Sequence, residues 1–402
     1  MRDVTILMVG KSAADYGGAI NSFVEVGLAL LDSGARVDVG LYSTGPLPRP
    51  LVPLVAAGAR LHQLDEALDA RANARQLDQL VREVQPHVIH MNVNNRLARR
   101  SIPLMATLQE RNGPRRLLTL HSDVLTVPNR GPETAGIRAA LTTYPRLVLR
   151  KRWRLAGVKR FVACFDQVIC VSELCGAELK RRIPAVAGAV VMLPYGIDAN
   201  RFQPLAAPER RRPDEMLVGM AGGFYSYKRF DILIDAIALL PDRPGIRAVF
   251  AGGGPLEESL RQQAVARGVQ DRIEFAGVQH DMPAFMRRLD VYAVTSDTGE
   301  ASPYAHLEAM STGLPSICSR TGDMPMRVRD GYNGMLVPPG DPGAVADGLR
   351  TLSLNPELRA TLGKQARQTV LSRYSRERYL ERTLGVFEGL LSGGCAREVV
   401  SA

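Results

Sequence analysis

The chain has 402 residues, 46% of them hydrophobic and 5% aromatic, more than one ordinary core holds, so two domains of about 200 residues each are the starting expectation. No apolar run reaches the roughly 18–20 residues that a membrane-spanning helix needs, and VTILMVG, preceded by one Arg, is too short for a signal-peptide core. Five cysteines (Cys164, Cys170, Cys175, Cys318, Cys395) without C-x-x-C spacing argue against a disulfide framework or zinc site and for a cytosolic chain with reduced thiols.

Strand and helix signals alternate from the start. VTILMVG predicts a buried parallel strand, Ala19 to Ser33 an amphipathic helix ending at Gly34, and ARVDVGLYS the next strand, which together make a βαβ unit. Gly10-Lys11-Ser12 imitates the end of a phosphate-binding loop, but Thr5 stands where that motif needs its first glycine, so the motif is rejected. Gly17 and Gly18, just before the helix, let the backbone approach a ligand and leave N–H groups exposed. A helix follows over Ala72 to Val84, a strand over 87–92, a helix over Ile102 to Glu110 and a strand over 116–123. His121 lies at the C-terminal end of that last strand, where open α/β sheets collect ligands; a structural histidine is the competing reading.

The formal charge of +10 is unevenly placed. Tyr144 to Arg160 holds seven Lys/Arg and no acid, with Leu147, Val148, Leu149, Trp153 and Leu155 interleaved. Such a segment can lie on anionic lipid, grip an acidic ligand, or be a solvated connecting helix. Without aromatic platforms or a recognition motif, nucleic acid is not an expected partner. Then come the strand 167–172 and a helix capped by Ser172.

Met192 to Asp214 is rich in Pro, Ala and Arg and lacks periodicity, as an interdomain linker would. The βα alternation then restarts with strands at 216–223, 247–254, 272–277, 290–296 and 315–320, and helices between them. Asp297 to Pro315, DTGEASPYAHLEAMSTGLP, is a loop feeding a helix N-terminus, with Pro303 near its start and Gly313 at its end. Glu300 and Glu308 stand on either side of that anion-friendly spot. On spacing alone, two solvated surface glutamates are the simpler reading.

The order of motifs changes that. GGFYSYKRFDILIDA (222–236), AGGGPLEESL (251–260), the run from Gly277 to Ile317 with E-x7-E, EAM and G-x-P, and DGYNGMLVPPGD (330–341) resemble the retaining, nucleotide-sugar-dependent glycosyltransferases of the GT-B fold, the glycosyl transferases group 1 class (family four). The first half resembles it more loosely, through Gly17-Gly18, TLHSD, VICVSE and LPYGID. The resemblance implies an α/β fold of two doubly wound Rossmann-like domains facing a central cleft, with C-terminal helices. Its expected boundaries are 1–195 for the acceptor-side domain, 196–214 for the linker, 215–372 for the nucleotide-sugar domain and 373–402 for a C-terminal helix and tail crossing back.

It also implies roles. Lys228 would grip the phosphates, and Ser302, Tyr304 and Ala305 would open the diphosphate cradle with their amides. Glu308 would accept the ribose hydroxyls and Glu300 would meet the donor sugar. His121 would contact that sugar, and Gly18 would approach the diphosphate. Catalytic positions are then His121, Lys228 and Glu300; donor-binding positions are Gly17, Gly18, Gly222, Arg229, Gly253, Val278, Ser302, Tyr304, Ala305 and Glu308. No metal and no cofactor is expected beyond the sugar nucleotide, and the leaving phosphate oxygen would take the acceptor proton with retention of configuration.

Four positions depart from the family pattern: Gly223 where an Arg is common, with Arg229 a candidate to compensate; Asp323 and Met326 in the loop GDMPM; and Ala301. The implied activity is transfer of a sugar to a hydroxyl of a lipid-linked, polysaccharide or small-molecule acceptor, in the cytoplasm, with Arg146–Arg160 resting on the inner face of the cell membrane. The alternatives are a catalytically weak partner subunit of the same fold, a nucleotide-sugar epimerase, and a phosphorylase, for which no pyridoxal phosphate lysine motif is visible.

Overall fold

In the computed structural model the described residues are 1–11, 18–43, 47–65, 70–93, 113–121, 156–204, 215–241, 245–297 and 302–393. The chain forms two compact units, Met1–Pro194 with Leu380–Ala402, and Tyr195–Tyr379. Apolar residue runs buried on both faces give each unit a wholly parallel sheet.

The first unit comprises β1 (Thr5–Lys11), α1 (Gly18–Asp32), β2 (Arg36–Tyr42), α2 (Val52–Ala56), β3 (Arg60–Leu64), α3 (Ala70–Val84), β4 (Val88–Val93), β5 (Arg115–Leu120), a helix at 156–162, β6 (Gln167–Cys170), α4 (Glu173–Arg182) and β7 (Val190–Met192). Its sheet runs β3-β2-β1-β4-β5-β6-β7, with Ile6 facing Val37 on one side and Val88 on the other. Ile6, Leu7 and Met8 are fully buried. Gly27 lets α1 sit close: a Cβ there would lie 2.8 Å from Leu54 Cδ1. Ser172 caps α4 as its sequence position suggests, its hydroxyl accepting the Cys175 N–H at 3.0 Å. The short elements α2, β3 and β7 carry too little periodicity to be read in advance.

The second unit comprises β8 (Glu215–Ala221), α5 (Phe230–Ala238), β9 (Gly245–Ala251), α6 (Glu257–Ala266), β10 (Ile273–Gly277), α7 (Met282–Arg287), β11 (Val291–Val294), α8 (Tyr304–Ser311), β12 (Ser316–Ser319), α9 (Met324–Arg327), β13 (Met335–Val337), α10 (Pro342–Leu354) and α11 (Pro356–Arg373). The last helix, α12 (Arg376–Leu391), has its residues from Leu380 onward in the first unit. The second sheet runs β10-β9-β8-β11-β12-β13. In both sheets strand order turns back beside the first strand, between β1 and β4 and between β8 and β11. The carboxyl ends of strands at such a point are where open α/β sheets bind ligands.

Residues 196–204, which composition suggests are linker, are packed into the second unit. Ile197 bridges Ser375, Phe202 is buried, and the Phe202 carbonyl accepts from Ser311 Oγ at 2.8 Å and Arg367 Nη1 at 2.9 Å. Scarce periodicity marks the missing helix and strand here, and side-chain donors from elsewhere satisfy the irregular backbone instead. The rest of the expected linker, 205–214, lies outside the described residues.

Candidate active site

At the β8 carboxyl end three loops share backbone hydrogen bonds. Gly222 N–H donates to Ala251 O at 2.9 Å, Phe224 N–H to Gly253 O at 3.0 Å, and Gly252 N–H to Gly277 O at 2.8 Å. Gly252 has φ +135°, and a Cβ there would collide with the Gly222 carbonyl oxygen. The close approach of main chain to main chain is what the glycines provide. The turn Ser226–Lys228 then rises over the end of β8, and residues just past β11 hold it and the residue after it: Thr295 Oγ1 donates to Lys228 O at 3.3 Å and Arg229 O at 2.8 Å, and Asp297 N–H to Tyr227 O at 3.2 Å.

Lys228 is half-buried and lies along this glycine edge, its Nζ 3.8 Å from where a Gly222 Cβ would be and 5.5 Å from the Tyr227 ring centroid. Arg229 points elsewhere. Its guanidinium pairs with Asp231 at 2.9 Å and Asp297 at 3.1 Å, and its backbone is left-handed at φ +55°, a conformation that favours glycine. Two carboxylates therefore already hold the charge expected to make up for Gly223.

α8 opens at Pro303 with no side chain capping it, so its first amides face the end of the sheet with the positive pole of the helix. Gly313 at φ +80° closes it. On its buried side Glu308 is 6% exposed; burial pushes its carboxyl up to about 7 from 4.5, against the pull of Arg201. Among the described residues, the carboxylate accepts no hydrogen bond. A buried carboxylate of this kind is matched by a ligand bringing two donors, as a vicinal diol does.

Arg327 supports the start of α8. It is 3% exposed, donates to Ser302 Oγ at 2.6 Å and Pro303 O at 3.1 Å, and packs on the Tyr374 ring at 5.5 Å. Asp323 is buried as well, not turned to solvent, whereas Met326 is 43% exposed.

In the first unit His121 sits just past β5, its Nε2 2.7 Å from Asn92 Oδ1. Asn92 leads on to His90, whose Nε2 is 2.8 Å from Thr119 Oγ1. Burial pushes the His121 imidazole down to about 4, and burial plus His121 pushes His90 down to about 3. Both rings are neutral at pH 7. With Asn92 Oδ1 accepting, Nε2 of His121 carries the proton and Nδ1 is the acceptor.

Two family models divide this chain: Glycosyltransferase Family 4 matches residues 16–201 and Glycosyl transferases group 1 matches residues 203–369. The chain belongs to this glycosyltransferase family. The D-inositol 3-phosphate glycosyltransferase of Saccharomonospora viridis is 32% identical, over 62% of each chain. The chain spans between 50% and 62% of the length of this and the next such relatives. Sucrose-phosphate synthase of Thermosynechococcus elongatus superposes with TM-score 0.80 at 21% identity, covering 97% of this chain and 100% of that one. The Anabaena HepE structure with UDP-glucose gives 0.74 at 20%, covering 96% and 99%. These two likenesses show the fold, a two-domain GT-B architecture of Rossmann-like halves.

In the second unit, Gly222, Lys228, Gly253, Val278, Ser302, Tyr304, Ala305 and Glu308 all lie at or just beyond the carboxyl ends of one sheet. Val278, directly after β10, is 51% exposed. His121 and Gly18, the first residue of α1, belong to the other unit. Gly17, Glu300, Ala301 and the basic stretch up to residue 155 lie outside the described residues. Asn92, Arg201 and Arg327 have no signal in one sequence: an Asn ending a strand, an Arg in an aperiodic segment and a buried Arg look like their many solvated counterparts. Among the described residues, no group of three His, Cys, Asp or Glu is arranged to hold a metal ion, and no helix is long and apolar enough to cross a membrane.

Proposed function

We propose that the chain transfers a sugar from a nucleoside diphosphate donor to a hydroxyl acceptor with retention of configuration. The observation that carries this is Glu308, a buried carboxylate on the helix whose uncapped N-terminus stands over the same sheet edge as Lys228. In the proposed binding mode the ribose diol donates to Glu308. The diphosphate takes the α8 amides and Lys228, which stabilise charge as it develops on the leaving oxygen. The C1–O bond to phosphate breaks with its electron pair going to the phosphate, and the acceptor oxygen bonds C1 on the same face. Its proton passes to the leaving phosphate oxygen. No cofactor is required in this scheme, and His121 serves turnover rather than nucleotide affinity.

Calorimetry against UDP-, GDP-, ADP- and dTDP-sugars in EDTA tests this, followed by turnover with an acceptor panel that includes inositol phosphates, as the naming of the curated relatives suggests. One donor is expected to bind. Glu308→Ala should weaken it about 10- to 100-fold, the worth of hydrogen bonds to a charged group, while His121→Ala should keep donor binding and lose turnover. Absence of binding across the panel defeats the reading. Donor binding without turnover on any acceptor would favour the silent partner subunit, for which the engagement of Arg229 by two acids already speaks.

We further propose that the basic stretch Arg146–Arg160 rests on anionic lipid at the cytoplasmic face of the membrane, each added Lys/Arg near the surface contributing about 1 kcal/mol. Flotation with vesicles containing phosphatidylglycerol should carry the protein up at low salt and release it at high salt. Equal recovery with neutral vesicles would remove the idea.

A further inference from the structure

Beside the donor site stands an aromatic surface that none of the assigned roles uses. Tyr225 immediately precedes the short turn Ser226–Lys228 over the end of β8 and Tyr227 stands within it, 50% and 40% exposed. Their rings are parallel within 4°, with centroids 6.2 Å apart. Two exposed tyrosine rings held side by side present flat, weakly polar faces of the kind that ligand rings stack on.

The backbone holds both rings in place. Gly223 has no side chain, and a Cβ at that position would fall 2.5 Å from Tyr225 Cε2, so the Tyr225 ring occupies the space any other residue would need. Tyr225 N–H donates to Gly223 O at 2.8 Å. Tyr227 is tied through its carbonyl to the Asp297 N–H at 3.2 Å, and its ring lies 5.5 Å from Lys228 Nζ. The platform is thus fixed to the same turn as the cation assigned to the phosphates.

We propose that Tyr225 and Tyr227 form a pyranose-binding platform, on which the C–H face of a sugar ring stacks next to the reacting phosphate. The proposal rests on the donor reading above. With the nucleoside held at Glu308, the donor's sugar is bonded directly to the phosphate at Lys228, and an acceptor sugar must approach the same carbon. Both supply the same chemistry, a ring face of weakly polarised C–H groups against an aromatic π-face. Gly223 is then the residue that seats a ring.

The test compares wild type, the double variant Tyr225→Ala/Tyr227→Ala and the double Phe variant. Calorimetry uses UDP, GDP, UDP-glucose and GDP-mannose; transfer and donor hydrolysis are measured with methyl glycosides as acceptors. If the platform takes the donor sugar, the Ala pair loses about fivefold or more in sugar-nucleotide affinity. It keeps its affinity for UDP or GDP, and the Phe pair behaves as wild type. If it takes the acceptor sugar, both donor affinities and hydrolysis stay constant, while the KM for the methyl glycoside rises by a similar factor with Phe rescue. Unchanged donor and acceptor parameters overturn the proposal. So does an equal loss for nucleotide and sugar nucleotide, which means the turn merely supports the phosphate site. Failure of wild type to bind any of the four probes strikes the donor reading itself.

Discussion

A carboxyl held near 7 makes Glu308 a place where pH, stability and ligand binding meet. In the unfolded chain it titrates near 4.5 and in the folded chain at about 7, so between these values the folded state binds more protons. The sign follows: the stability that protonated Glu308 allows is fully present below about 4.5 and is lost as pH rises through 7. Glu308→Gln removes that loss. The variant is expected to melt higher than wild type at pH 8, by a margin worth about 3 kcal/mol at most, and to match it at pH 4. Melting curves of the free protein at both pH values check this, and an equal shift at the two would refute it. Arg229 makes the opposite trade in the same unit. It accepts a left-handed backbone, which costs about 1–2 kcal/mol, and gains two partly exposed carboxylate partners of modest worth.

At the scale of the element, α8 depends on its supports more than on itself. Eight residues are too few for a helix to be stable alone, and its ends are held by side chains from outside. Arg367 donates to Ser311 O and to Phe202 O at the C-terminal end, and Arg327 holds Ser302 and Pro303 at the other. Arg327 is a positioning residue on this view, since it fixes the amides assigned to the diphosphate. Arg327→Met should lower donor affinity about tenfold through displacement of Ser302 and Pro303, with kcat little changed, and Arg327→Lys should restore some of it. A fall in donor affinity no larger than the loss of folded fraction would reduce Arg327 to a structural role.

The same helix marks what one sequence can convey. Pro303, Glu308 and Gly313 carry local rules of helix starts and stops, so α8 and its acidic residue are legible. The strand ends are legible too, because glycine pairs follow apolar runs. Arg327, Arg201 and Asn92 act through contacts with residues distant in sequence, and no spacing rule reports those. The segment 196–204 misleads for a related reason: its backbone is satisfied by Arg367 and Ser311, whose partners only the fold supplies.

At the scale of the molecule, the chain's end belongs with its beginning. Phe387, on α12, is fully buried in the first unit, its ring meeting His90 edge to face at 5.3 Å, close to the chain of polar contacts that orients His121. A residue so late in the sequence thus supports strands formed within the first hundred. Phe387→Ala leaves a cavity under β4 and should cost about 3–5 kcal/mol. Because the units have separate cores, that cost should fall on one of them. Native-state hydrogen exchange is the measurement: amides of β4 and β5 are expected to lose protection, while those of β8 and β9 keep theirs and nucleotide affinity is unchanged. A uniform loss of protection across both sheets would mean that the chain unfolds as one body and that Phe387 serves the whole of it.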